Sequence, residues 1–72
     1  MSKRYKVGIV GLGAIGLQIA RTIDQGNLTN FDLVAIATRD EKKAARNLEN
    51  FDHVPDITSI KNVCSSADVI VE

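Results

Sequence analysis

Six residues constrain this chain more than any others: Gly11-Leu12-Gly13-Ala14-Ile15-Gly16, a Gly-x-Gly-x-x-Gly run. Tyr5-Lys6-Val7-Gly8-Ile9-Val10 stands before it, a short run that reads as a buried strand from Lys6 to Val10. Ile15, Ile19 and Ile23 follow at i, i+4 and i+8, the spacing of one helix face. A glycine run between a strand and a helix has few uses. Gly11 lets the chain leave the strand tightly, Gly13 lets a ligand approach bare backbone, and Gly16 lets the helix pack closely on the strand. The free N–H groups of Ala14 and Ile15 then face an anion, helped by the helix dipole. The pattern therefore predicts a dinucleotide site of the Rossmann type, with the pyrophosphate over the turn.

The rest of the chain continues this alternation. The first helix is expected over about Ala14 to Gln25, with its isoleucine stripe on the sheet and Gly26 as a left-handed stop. Asn27-Leu28-Thr29-Asn30 is a polar connection, and its match to a glycosylation sequon is read as chance. Phe31 to Ala37 is a second continuous apolar strand, as expected for a parallel sheet covered on both faces. Asp40 is a candidate N-cap for a second helix from Glu41 to about Asn50, with Ala44, Ala45 and Leu48 as its apolar face. His53-Val54-Pro55 reads as a short edge strand. Thr58 or Ser59 caps a short helix carrying Ile60, Val63 and Cys64, Ser65 to Asp68 turns, and Val69-Ile70-Val71 is the next strand. The fold class is α/β, a Rossmann-type parallel sheet with helices on both faces.

At 72 residues the chain is about half of a complete domain of this kind, which needs two βαβαβ halves. Residues 1–72 are therefore expected to be the N-terminal part of a larger dinucleotide-binding domain, with the remaining sheet and a substrate domain elsewhere. Nine basic and nine acidic residues cancel and are scattered, so charge points to neither nucleic acid nor an acidic partner. No apolar run approaches the roughly 18 residues of a membrane span. A single cysteine, Cys64, fits a reducing cytoplasm. The expected partner is a small-molecule substrate, with no nucleic acid, no membrane and no metal, and the full-length form is expected to be a homo-oligomer.

The second strand's end addresses which dinucleotide is used. About 20 residues after the glycines, an acidic side chain reads the ribose hydroxyls of NAD, whereas a basic one accommodates the phosphate of NADP. Here that slot holds Thr38, followed by Arg39. Threonine does not repel a 2′-phosphate, and arginine grips one bidentately or lies flat on adenine. NADP, or both cofactors, is favoured over strict NAD. The alternative makes Asp40 the ribose reader, in place of a helix cap.

Taken together, Lys6 to Gly16 resembles the opening of two-domain oxidoreductases that include L-aspartate dehydrogenase, homoserine dehydrogenase and the glucose-fructose oxidoreductase group. Ala20 to Gly26, Leu33 to Lys42 and Ala67 to Glu72 are similar to the first helix, second strand with its turn, and fourth strand of the aspartate dehydrogenases. The resemblance implies oxidation of L-aspartate to iminoaspartate with hydride transfer to NAD(P). It places the catalytic histidine in a second domain, beyond Glu72, so these residues alone would be inactive. His53 is then a surface histidine, and Cys64 a core residue with no basic neighbour in sequence to activate it. By the same resemblance Gly11, Gly13 and Gly16 shape the turn, the amides of Ala14 and Ile15 face the pyrophosphate, and Thr38 and Arg39 meet the adenosine ribose. Many relatives are acidic where Thr38 stands. A sugar or polyol dehydrogenase and a non-catalytic NAD(H)-sensing module are the competing readings. A flavin-binding start would normally carry a glutamate at the second strand's end.

Overall fold

In the computed structural model, which describes residues 3–26 and 30–72, Tyr5–Val10 forms the first strand, β1. It is followed by α1 (Ala14–Asp24), β2 (Phe31–Ala37), α2 (Glu41–Leu48), β3 (Asp56–Ile57), α3 (Ile60–Ser66) and β4 (Val69–Val71). The strands pair in the order β3-β2-β1-β4, and every pairing is parallel. The chain thus steps outward from β1 to β3, then returns past its starting point to place β4 on the other side of β1. The sequon Asn27-Leu28-Thr29 and most of the polar connection around it lie outside the described residues.

Alternation along the strands divides the core between two faces. Ile9 and Ile36 are fully buried with Ala20 of α1 and Leu48 of α2, and Leu33, Phe51 and Ile57 pack around them. Ala35 and Ala37 face the other way, against Val63 of α3. The small alanines let that helix lie close. Gly8 does the same in β1: a Cβ there would stand 2.4 Å from Val63 Cγ1 and 3.1 Å from Ala67 Cβ. The β1–β2 register skips one residue, since Val7 pairs with Leu33 but Gly8 with Ala35. Val34 is the extra residue of a bulge, which is why it joins Ala35 on the α3 side.

Polar side chains close the ends of these elements. The Asp68 carboxylate accepts from Lys6 N–H at 2.9 Å, while Asp68 N–H donates to Lys6 O at 2.7 Å, so β4 starts locked to β1. The Asp24 carboxylate accepts from the N–H groups of Asp52 and His53, both at 3.1 Å, and ties the end of α1 to the chain leaving α2. Gly26, at φ +80°, ends α1 in the left-handed region as expected. No helix among the described residues is long and apolar enough to cross a membrane.

Several expectations need correction. Ile15 does not pack on the sheet: it is 75% exposed. The first turn of α1 overhangs the carboxyl edge of the sheet, and Ala20 and Ile23 carry the burial. Ala45 is exposed while Ala44 and Leu48 are buried, because a helix ending at Leu48 turns only a narrow stripe inward. The edge strand is Asp56–Ile57, not His53 to Pro55; Pro55 is buried and has no N–H for a ladder. Cys64 is exposed, as is Ile60, because α3 buries Val63 alone. Ser65 and Ser66 belong to α3, where their hydroxyls donate to the carbonyls of Lys61 and Asn62 at 3.0 and 2.8 Å and serve the last turn.

Candidate functional site

The glycine run occupies the carboxyl edge of the sheet. Gly11 takes φ +85°, a conformation that side chains rarely adopt, and its N–H donates to Ala37 O at 2.7 Å. The turn is thereby fastened to the last residue of β2. Gly13 is the N-cap of α1, and no side chain caps that end. Leu17 N–H donates to Gly13 O at 2.8 Å, so the N–H groups of Ala14, Ile15 and Gly16 precede the first intrahelical bond. A Cβ on Gly13 would meet nothing within 4 Å, so the fold itself does not require glycine there. A Cβ on Gly16 would stand 2.9 Å from Gly11 O and 3.4 Å from Ile9 Cγ2. That glycine sets the distance between helix, turn and strand.

Two clefts open at this edge. The first, of about 370 Å³, lies between the ends of β1 and β4 and is lined by Gly11, Gly13, Ala14, Ile15, Val71 and Glu72. Strand order reverses there, and open parallel sheets take their ligands in the crevice at that reversal. The second, of about 640 Å³, lies past the ends of β1, β2 and β3 and is lined by Gly11, Thr38, Arg39, Glu41, Ser59 and Ile60, among others. The clefts share Gly11. All seven residues singled out from sequence, Gly11, Gly13, Ala14, Ile15, Gly16, Thr38 and Arg39, therefore line one continuous edge.

Asp40 caps α2, its carboxylate accepting from Lys43 N–H at 3.0 Å, and it is not among the residues that line either cleft. Glu41 lines the second cleft although its position suggested only a favourable charge at a helix start. Thr58, Ser59 and Ile60 also line this cleft, which their sequence positions do not suggest. The Ser59 hydroxyl accepts from Asn62 N–H at 3.2 Å and caps α3, which decides between Thr58 and Ser59 as the cap. Its place in the cleft follows from the pairing of β3 beside β2, and a two-residue strand carries no periodic signal.

His53 lies at the opposite end of the sheet, in a cavity with Arg4 and Asp32 near the strand starts. Arg4 grips the Asp32 carboxylate with two donors, Nε at 2.9 Å and a second guanidinium nitrogen. That hydrogen bonding holds the Asp32 carboxyl below the usual carboxylate range, partly opposed by desolvation, and raises the Arg4 pKa. Both groups are surface-exposed, so the pair steadies the β1–β2 edge and takes no part in the clefts. Among the described residues no group of three or more His, Cys, Asp or Glu could hold a metal ion.

The family described as homoserine dehydrogenase, NAD binding domain, matches residues 11–72. An L-aspartate dehydrogenase of Bradyrhizobium diazoefficiens is 37% identical over 71 residues, covering 99% of this chain and 25% of the relative. Those of Methanocella arvoryzae and Methanosarcina mazei are 34% and 39% identical, covering 94% and 93% of this chain and 25% of each relative. The chain thus spans about a quarter of the length of the curated relatives it matches. No solved structure matches it significantly.

Proposed function

Since this chain belongs to the family of homoserine dehydrogenase NAD-binding domains, we propose that residues 1–72 form the first part of the cofactor domain of an amino-acid dehydrogenase. The substrate proposed for the whole protein is L-aspartate, oxidised to iminoaspartate. The observation that carries the cofactor assignment is the cleft between β1 and β4, where an uncapped helix start and a sterically open Gly13 meet at the strand reversal. The substrate assignment is supported by the names of the three relatives, which align over nearly all of this chain.

The residues present fit a dinucleotide. The open space at Gly13 admits a pyrophosphate against backbone, and the N–H groups of Ala14, Ile15 and Gly16 are donors for its oxygens. Thr38 and Arg39 would meet the adenosine ribose, and Arg39 would grip a 2′-phosphate, so NADP is accepted and favoured. A bound nicotinamide dinucleotide supplies the hydride acceptor. This chain's contribution is the seat: Gly11 fixes the turn on β2, Gly16 sets the helix distance, and neither moves a proton. The groups that orient the amino acid and take its proton are assigned to the remainder of the protein, so residues 1–72 alone should show no turnover.

Titration of the full-length protein with NAD and NADP, followed by an assay with L-aspartate and with simple polyols, tests both assignments. Binding of a nicotinamide dinucleotide with aspartate-dependent reduction is expected. Binding without amino-acid turnover would remove the substrate assignment, and no binding would remove the site. Arg39→Ala should weaken NADP relative to NAD. An unchanged ratio would show that Arg39 does not read the phosphate.

A further inference from the structure

We infer that Glu41 is a specificity-determining residue that opposes Arg39 and holds back a 2′-phosphate. The inference rests on the dinucleotide site proposed above and assigns the charge balance within it. Thr38, Arg39 and Glu41 line the same cleft at the end of β2. Arg39 and Glu41 are the charged residues of that lining; both are exposed, and they form no ion pair with each other among the described residues. The negative charge of Glu41, beside the cleft, is thus not cancelled by Arg39. The start of α2 would otherwise attract an anion, but the Asp40 carboxylate already accepts its Lys43 N–H at 3.0 Å, and Glu41 adds a second negative charge to the first turn. A phosphate monoester brings about −1.5 to −2 charge at neutral pH, whereas a ribose hydroxyl brings none. Arg39 therefore attracts what Glu41 repels, and Glu41 reduces without abolishing the preference for NADP that Arg39 confers. A glutamate just after Thr-Arg-Asp reads in sequence as a helix-start charge; its position in the cleft gives it this second role.

The test is calorimetric titration of the full-length protein and its variants with NAD and with NADP at one fixed ionic strength. Glu41→Gln keeps the size of the side chain and removes the charge. It should raise the affinity for NADP relative to NAD about two- to sixfold, the range expected for such charges across several ångströms of partly screened solvent. Glu41→Lys should move the ratio further in the same direction. Glu49→Gln, at the far end of α2, removes the same net charge away from the cleft and should leave the ratio unchanged. Binding of NAD with an unaltered ratio in both Glu41 variants would overturn the inference and leave the site standing. An equal shift in the Glu49 variant would overturn it too, as an effect of overall charge. Failure of the unmutated protein to bind either cofactor would remove the site and the inference together.

Discussion

Gly13→Ala and Gly16→Ala add the same methyl group three residues apart, yet the structure predicts opposite physical consequences. At Gly16 the new Cβ would stand 2.9 Å from Gly11 O, a backbone atom. That oxygen is backbone, in a turn anchored on β2 by the Gly11 N–H bond to Ala37 O at 2.7 Å, so it yields less easily than the end of a flexible side chain. Helix α1 must shift against the turn, and overpacking of this kind costs about 1–3 kcal/mol. Alanine recovers about 1 kcal/mol relative to glycine at a helical position. The net destabilisation is therefore about 0–2 kcal/mol, and the shifted helix start also misplaces the pyrophosphate donors. At Gly13 the new Cβ touches nothing within 4 Å, and φ is an ordinary −86°. Losing a glycine N-cap and gaining a stiffer unfolded chain offset each other, so stability should stay within about 1 kcal/mol of the original. The methyl group would lie in the space assigned to the cofactor, and affinity should fall at least about tenfold, or about 1.4 kcal/mol. Thermal unfolding without ligand and calorimetric titration with NAD read the two effects separately on the full-length protein. Gly13→Ala binding NAD as tightly as the original would refute a pyrophosphate path over that residue. Gly16→Ala with unchanged melting and unchanged affinity would refute the claim that this glycine sets the helix distance.

Three other residues offer independent checks. Asp40→Ala should cost about 1 kcal/mol of stability through loss of the α2 cap, whereas Asp40→Asn should restore most of it, and denaturant unfolding distinguishes them. Asp32 has a folded pKa lowered chiefly by its hydrogen bonds to Arg4, so its contribution is complete above the ordinary carboxylate pKa and is lost as pH falls through the lowered value. Asp32→Asn should accordingly flatten the acid limb of the stability profile while leaving its slope near neutrality unchanged. Cys64 is exposed on α3 and should react with a thiol reagent in the native protein at a rate independent of denaturant below the unfolding transition; a buried thiol would react only on unfolding.

Much of the architecture was legible because its signals are local. The strand before Gly11, the helix after it, the Gly26 stop and the caps at Asp40 and Ser59 each depend on a few neighbouring residues. The glycine spacing also located the turn, since a tight exit and close packing both exclude a side chain. Burial was harder to read. Ile15 has the spacing of a core residue but stands above the sheet's edge, and Cys64 shares a short helix with Val63 without sharing its depth. Periodicity gives the direction of a side chain, not whether another element is there to meet it.

Sequence alone therefore determined that a strand, a glycine turn and a helix follow one another, because each is set by backbone sterics and nearby side chains. Only the tertiary structure decided that β4 returns to the far side of β1 and opens a cleft at Gly13, and that β3 brings Ser59 and Ile60 to the cleft that Arg39 and Glu41 share. Those contacts join residues far apart along the chain, and they exist only once the parallel pairings have formed.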